Sequence, residues 1–394
     1  MYRTRKPRGA PAAGDRRSRA LAAMLLCSTV LACSADRITS PALGPRSAPA
    51  TSAAPRTRTY YIAADLVEWN YAPSGINQIT GEPFGDAEGI FVNSGPGIGL
   101  RYKKALYREY TDATFSTLKP RPPEWQHLGL LGPVIRVQVG DTLVVVFKNN
   151  ADRVYSFHAH GVFYGKDAEG APYDDGTSDE HKGDDLVQPG GTHTYVFSVP
   201  ERAGPGPTDL SSVLWMYHSH VDEPKDANTG LVGPIIVTAR GHARDDGRPN
   251  DVDREFVTLF MIVDENKSWY LADNIADTPD AEPEDEEAFH EANLKHAING
   301  YIYGNLPLEL LTMHLGERVR WYVFGLGTET DLHTPHWHGQ TLLWQGMRVD
   351  LIELLPATMR TLDMIPDSPG IWLYHCHVDD HIAAGMMARF DVLP

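Results

Sequence analysis

An all-β chain of two tandem Greek-key sandwiches is the architecture this sequence predicts, on three observations. Short runs rich in β-branched and aromatic residues, at 134–147, 194–199, 231–237, 256–263 and 318–324, are punctuated by glycine and proline, as short strands joined by tight connections are. Two stretches of the first half recur in the second, the mark of an internal duplication. Beyond an N-terminal segment, the 394 residues divide into two units of about 150–180 residues, each long enough to bury its own core.

Residues 1–33 stand outside that scheme. A basic stretch containing Arg16, Arg17 and Arg19 precedes an apolar run over 20–32, which reads as an export signal too short to span a membrane. Val30-Leu31-Ala32-Cys33 resembles a bacterial lipoprotein cleavage site, and Cys33 would then be a lipidated N-terminus that tethers the protein to a membrane; plain secretion with cleavage nearby is the alternative. Either way the chain is expected outside the cytoplasm, in a periplasm or beyond. Residues 34–58, rich in Ala, Pro, Ser and Thr, read as a disordered linker. Residues 59–240 follow as the first sandwich and 241–394 as the second.

Cysteine use and charge narrow the function classes. Of three cysteines, Cys27 lies in the apolar run, Cys33 at the cleavage-like site and Cys376 in a histidine-rich loop, so no pair remains for a structural bridge. The formal charge is −17; without residues 1–32, which hold seven Lys or Arg and one Asp, it is −23. Such a chain repels nucleic acid, and nothing in it points to a nucleotide, flavin or haem. The acidic run over 277–287 reads as a solvated surface loop.

The chemistry concentrates near the C-terminus. His375-Cys376-His377, followed by His381 and Met386, supplies a thiolate, an imidazole and a thioether to one metal, a soft set that selects copper. His333 is the candidate for the second imidazole of a trigonal electron-transfer site. If 371–378 is a strand, His375 and His377 share one face and Cys376 takes the other. One backbone step of about 3.8 Å then separates two metal environments. In His333-Thr334-Pro335-His336-Trp337-His338-Gly339, His336 and His338 likewise share parity and His333 does not.

The repeat has the same content, with informative losses. Tyr155-Ser156-Phe157-His158-Ala159-His160-Gly161 parallels His333 to Gly339, and the stretch with His218-Ser219-His220 parallels that with His375-Cys376-His377. Tyr155 stands in place of His333 and Ser219 of Cys376. The first half keeps its histidine pairs and lacks the thiolate site.

Four His-x-His pairs with the Cys-His-Met loop resemble the multicopper oxidases. The phrases beginning at His160, Tyr217 and His296 are most similar to the ceruloplasmin branch, over roughly Tyr60 to the C-terminus. The resemblance implies a cupredoxin β-barrel for each unit and four coppers per chain. His333, Cys376, His381 and axial Met386 would hold type 1 copper, with Met387 one residue beyond the matching spacing. His158 and His336 match type 2 ligands; His160, His218, His220, His338, His375 and His377 match the type 3 pair. Electrons would cross from the type 1 site through Cys376 to a three-copper cluster that reduces O2 to water, with Asp175 and Asp379 matching acids that supply protons.

Glu291, His296 and Asp380, with Glu329, match an iron site beside the type 1 copper. The resemblance therefore implies Fe(II) as the leading reductant and ferroxidase activity, with laccase-like oxidation of phenols or aromatic amines as the alternative. A copper nitrite reductase would not require all eight cluster histidines, and a non-enzymatic copper-binding protein would be expected to lose ligands. Each half supplies four of those eight, and related two-domain proteins close the cluster between neighbouring subunits. A homotrimer with intersubunit clusters is the expected assembly.

Overall fold

The computed structural model describes residues 54–394. The export segment, Cys33 and the expected linker up to residue 53 lie outside the described residues. The first half comprises β1 (Thr57–Asn70), α1 (Asp86–Val92), β2 (Arg101–Tyr110), β3 (Ile135–Gln138), β4 (Thr142–Asn149), β5 (His158–Ala159), β6 (Thr192–Ser198), β7 (Ser212–His218), α2 (Glu223–Thr229) and β8 (Val232–Thr238). The second comprises β9 (Arg254–Asp264), α3 (Leu271–Ala276), α4 (Glu286–Ala292), β10 (Leu294–Ile298), β11 (Thr312–His314), β12 (Val319–Gly325), β13 (Pro335–Trp337), β14 (Leu342–Trp344), β15 (Met347–Val349), β16 (Met359–Met364), β17 (Gly370–Cys376), α5 (Asp379–Ala383) and β18 (Met387–Leu393).

Each half makes two sheets, ordered β2-β1-β4-β6 and β3-β8-β7-β5 in the first, and β10-β9-β12-β16-β14-β15 and β11-β18-β17-β13 in the second. Without the β14–β15 hairpin the second set repeats the first strand for strand. Direction repeats too: β1 with β4 and β9 with β12 run parallel, as do β3 with β8 and β11 with β18. So does register, with His158 opposite His218 and His336 opposite His375. The chain is two tandem cupredoxin-like units, as expected.

Burial explains why these residues form these strands. In β4, Leu143, Val145 and Phe147 point inward and alternate with half-buried positions, the period of a strand with one wet face. All of β12 is buried, because its outer face meets the first half in a shared core that holds Tyr322 and Phe324 with Leu214, Met216 and Ile236. A strand covered on both faces reads as a continuous apolar run.

Three boundaries differ from expectation. The run over 134–147 is two strands in different sheets, split by a turn at Gly140, whose φ is 100°. The Asp141 carboxylate stabilises that turn by accepting from the main-chain N–H of Gln138 at 3.0 Å. The same carboxylate accepts from the Arg56 N–H and from Arg58 at 2.6 Å, so β1 opens at Thr57, inside the segment expected to be linker. Finally, β17 stops at Cys376, which places His377 just beyond the strand and exposed rather than within it.

Buried charges pin the halves together. Lys104 of β2 pairs with Glu265, which follows β9, and Tyr71 donates to the same carboxylate at 2.5 Å. Burial lowers the Lys104 ammonium below its ordinary value even with Glu265 against it. Arg136 of β3 meets Glu255 of β9 at 2.7 Å, and Arg320 of β12 donates to Ser211 and Ser212 as well as to Asp363. Removing one partner strands the other in a medium that cannot solvate it. Glu265→Gln is therefore expected to cost roughly 3–5 kcal/mol in urea unfolding of the metal-free protein. Glu68→Gln, which breaks the exposed pair with Arg101, should cost at most about 1 kcal/mol.

Candidate metal centres

Four elements deliver the thiolate site. Cys376 ends β17, His333 precedes β13, His381 lies in α5, and Met386 immediately precedes β18. His381 Nδ1 is 3.5 Å and His333 Nδ1 3.9 Å from Cys376 Sγ, and the two ring nitrogens are 3.1 Å apart. All three residues are buried. Met386, fully buried, accepts from the Cys376 N–H through its carbonyl and donates its own N–H to the His381 carbonyl. Met387 instead stands opposite His375 in the β17–β18 register.

Polar neighbours fix the protonation of this set. Asp331, which the sequence reading did not single out, accepts from His333 Nε2 at 3.2 Å and from the Ile262 N–H at 2.7 Å. That leaves His333 Nδ1 to face the sulfur. Burial alone would raise the Cys376 thiol, but hydrogen bonds from His333, His381 and the Thr334 N–H outweigh it and bring the thiol down to about 6. A thiolate between two imidazoles is a soft donor set that fits copper.

The remaining histidines form two similar groups. In the first, His160 Nε2 and His218 Nε2 are 3.0 Å apart, and the His158 ring lies 5.1 Å from those of His160 and His220. In the second, His375 Nε2 is 3.0 Å from His338 Nε2 and 3.3 Å from His336 Nδ1, with the His377 ring 5.4 Å from that of His336. Carbonyls, which only accept, hold the Nδ1 protons of His158, His218 and His375 through Glu169, Ser219 and Cys376. Their Nε2 lone pairs are thereby freed for a metal. Burial, with neighbouring histidines adding to it, lowers His160 and His375 to about 4, so both are neutral at pH 7, the form that ligates.

The glycine of each His-x-His-Gly is a packing requirement. A Cβ on Gly161 would stand 2.1 Å from the Trp215 ring, and one on Gly339 2.5 Å from the Trp372 ring, at φ of 75° and 67°. The tryptophan that precedes His218-Ser219-His220, and the one that precedes His375-Cys376-His377, thus each lie under the histidine turn of the facing strand. Within the described chain the two histidine groups remain separate, and each is open to the surface on one side.

Where the first half lacks the thiolate, the scaffold survives. The Ser156 N–H donates to Ser219 Oγ at 3.0 Å, as the Thr334 N–H does to Cys376 Sγ at 3.4 Å. Ser219 then donates to Asp226, and the Tyr155 hydroxyl meets that of Tyr270. Glu223 turns to His220, 3.7 Å away.

The expected acids and iron ligands are placed less closely together. Asp175 accepts from Thr177 and lies 3.2 Å from both Lys166 and Lys182; the Thr177 bonds first, then the lysines, hold its carboxyl well below the usual range. Asp379 is exposed at the start of α5. Glu291, Glu329 and Asp380 are exposed, and no three of the four expected iron ligands bring ligand atoms within 4.8 Å of one another. His296 is buried on β10 with its ring 5.3 Å from that of His381 and its Nδ1 without a hydrogen-bond partner. Burial, then His381, lowers it to about 3.

Two cupredoxin-like units carrying a thiolate site and histidine pairs define a multicopper oxidase. Two family models described as multicopper oxidase match the chain, one over residues 127–242 and the other over 277–394, together more than half of it, and the chain belongs to that family, with ceruloplasmin-like domains. It is 48% identical over 343 residues to the human Ferroxidase HEPHL1, 44% over 344 to human hephaestin and 43% over 348 to human ceruloplasmin. These alignments cover 85% of this chain but only 29%, 29% and 31% of those proteins, so the chain spans less than a third of the relatives' length. A solved multicopper oxidase shares the fold at a TM-score of 0.52 and 16% identity, covering 88% of this chain and 93% of the other.

The lowered thiol has a direct readout. In metal-free protein, alkylation of Cys376, taken as the difference from Cys376→Ser, should rise with pH around a midpoint near 6 and fall away below it as the thiolate protonates. His333→Ala, which removes one of the stabilising hydrogen bonds, should move that midpoint upward.

Proposed function

We propose that this chain is a copper-dependent ferroxidase, which takes electrons singly from Fe(II) beside the thiolate site and delivers them to O2 at the histidine groups. The observation that carries Fe(II) is His296: a buried, neutral imidazole with an unpartnered nitrogen, packed against His381. A buried nitrogen without a partner costs free energy, and an Fe(II) ion held by it with Glu291, Asp380 and Glu329 would satisfy it. The names of the ferroxidase relatives support the same reading.

Bound copper supplies one-electron acceptance at the thiolate site and multi-electron reduction of dioxygen at the histidine groups. The reading assigns four ions per chain, one of type 1, one of type 2 and two of type 3, to the twelve ligands given above, within units at 59–240 and 241–394. His375 and Cys376 are consecutive, so a single peptide unit links the two environments. Asp175 and Asp379 are assigned to the protons consumed by dioxygen. Asp379 is free to exchange with solvent two residues after His377.

The assembly proposed is a homotrimer in which the first histidine group of one copy faces the second group of its neighbour. Exposed apolar side chains flank both groups, which supports this reading. Tyr164, its ring 6.0 Å from that of His158, lies beside the first. Leu351, which follows β15 and bridges to His336, lies beside the second. A head-to-tail contact between unlike faces closes into a ring when its rotation is a whole fraction of a turn. Export, with or without lipid at Cys33, completes the proposal.

Oxygen consumption with Fe(II) and with a bulky phenol separates the readings. Glu291→Ala/His296→Ala should lose Fe(II) turnover by at least the roughly 10–100-fold that removing even an outer-shell partner of a metal costs, and keep phenol turnover. Equal Fe(II) rates in variant and wild type, with good phenol turnover, would make the enzyme laccase-like. Light scattering should give three chains; a fully active monomer would refute the shared cluster.

A further inference from the structure

We infer that Asp184 is a positioning residue for His158, acting through the peptide group between Glu169 and Gly170. The inference rests on His158 being a copper ligand, as proposed above. Glu169 C=O and Gly170 N–H belong to one trans peptide and point in opposite directions. On one side the carbonyl accepts from His158 Nδ1 at 2.6 Å. On the other, the N–H donates to Asp184 Oδ2 at 2.7 Å. A carboxylate therefore orients the imidazole, as in a direct carboxylate–histidine pair, with one peptide inserted between them.

The surrounding bonds hold this relay rigid. Asp184 is fully buried, and its carbonyl accepts from the Tyr195 hydroxyl, which in turn accepts from the Phe157 N–H. The Gly170 carbonyl accepts from Ser156 Oγ, and that hydroxyl accepts from the His220 N–H, so one loop residue governs two histidines. Gly170 lies at φ of 70°, and a Cβ there would stand 2.6 Å from the Phe157 carbonyl oxygen. The geometry is available to glycine alone. His218 and His375 need no such device, because each bonds the carbonyl of the next residue in its own chain segment. His158 bonds a carbonyl eleven residues away, and that carbonyl has to be held in place by something else.

The test uses the full chain, stripped of metal and titrated with Cu(II), read by copper content, by electron paramagnetic resonance of the histidine-bound ion and by thermal melting. Asp184→Asn keeps the shape and removes the charge. It should weaken copper at this histidine group by roughly 10–100-fold and alter the resonance of the histidine-bound ion, leaving the thiolate-to-copper absorption of the Cys376 site unchanged. Glu169→Ala, which retains the carbonyl, should bind as wild type does. Wild-type affinity and spectrum in Asp184→Asn, with His158→Ala losing the copper, would overturn this inference alone. Undiminished copper in His158→Ala would overturn the underlying ligand assignment. Should Asp184→Asn fail to fold, hydrogen exchange of wild type decides: the Gly170 amide is expected to be protected, and a freely exchanging one overturns the inference.

Discussion

Everything at the two candidate metal sites of the second half depends on the alternation of one strand. Because β17 turns successive side chains to opposite faces, His375 and Cys376 enter different environments although they are neighbours in sequence. The buried face receives a thiol between two imidazoles, and the other joins His336 and His338. No loop holds two such sets at so fixed a spacing. Strand β13, paired with β17 through His336 and His375, repeats the division from the other side. The sandwich core with Trp321, Trp337 and Tyr374 backs the thiolate site, so its ligands cannot relax without disturbing the packing of the unit.

A second constraint is that imidazoles must be neutral, and the correct nitrogen bare, before any metal arrives. Burial meets the first requirement at His160, His218 and His375, whose protonated forms are disfavoured in the order burial first, neighbouring histidines after. Hydrogen bonds meet the second, and they divide by site. Around the histidine groups, carbonyls hold Nδ1 protons of His158, His218 and His375 and present Nε2; at the thiolate site Asp331 holds Nε2 of His333 and presents Nδ1. His333 thus presents the opposite ring nitrogen from His158, His218 and His375, and each choice is made by a group other than the ligating atoms.

The all-β class, the duplication and the ligand candidates were legible in the sequence because they reside in residue type and short spacing. His-x-His within a strand and His-Cys-His at a strand end are local patterns, and periodicity carries their faces with them. What was illegible is long-range. Asp331 is two residues from His333, yet its role depends on the Ile262 N–H across the sheet. Asp184 reaches His158 only through a peptide fourteen residues earlier in the chain. The split of 134–147 into two sheets was hidden because valine-rich sequence continues on both sides of Gly140, and only the bonds of Asp141 to Gln138, Arg56 and Arg58 show that the chain turns there. Burial of the whole of β12 likewise requires knowledge of the other half.

The first half shows what the histidine group needs and what it does not. Its thiolate site has become hydroxyls, Tyr155 and Ser219, yet the bond from the residue before the first His-x-His pair's aromatic neighbour persists, with oxygen accepting in place of sulfur. The register of His158 against His218 equals that of His336 against His375. A copper held by Cys376 is therefore unnecessary for placing a histidine group; the backbone pairing and the packing of a tryptophan under each motif glycine are sufficient. This independence explains how duplication could leave one unit with both environments and the other with one. The unit that lost its thiolate filled the space with a hydrogen-bonded chain from Ser219 through Asp226 to Trp269. Those groups are satisfied by one another, so the space that the thiolate set fills in the second half is occupied here by a hydrogen-bonded structure.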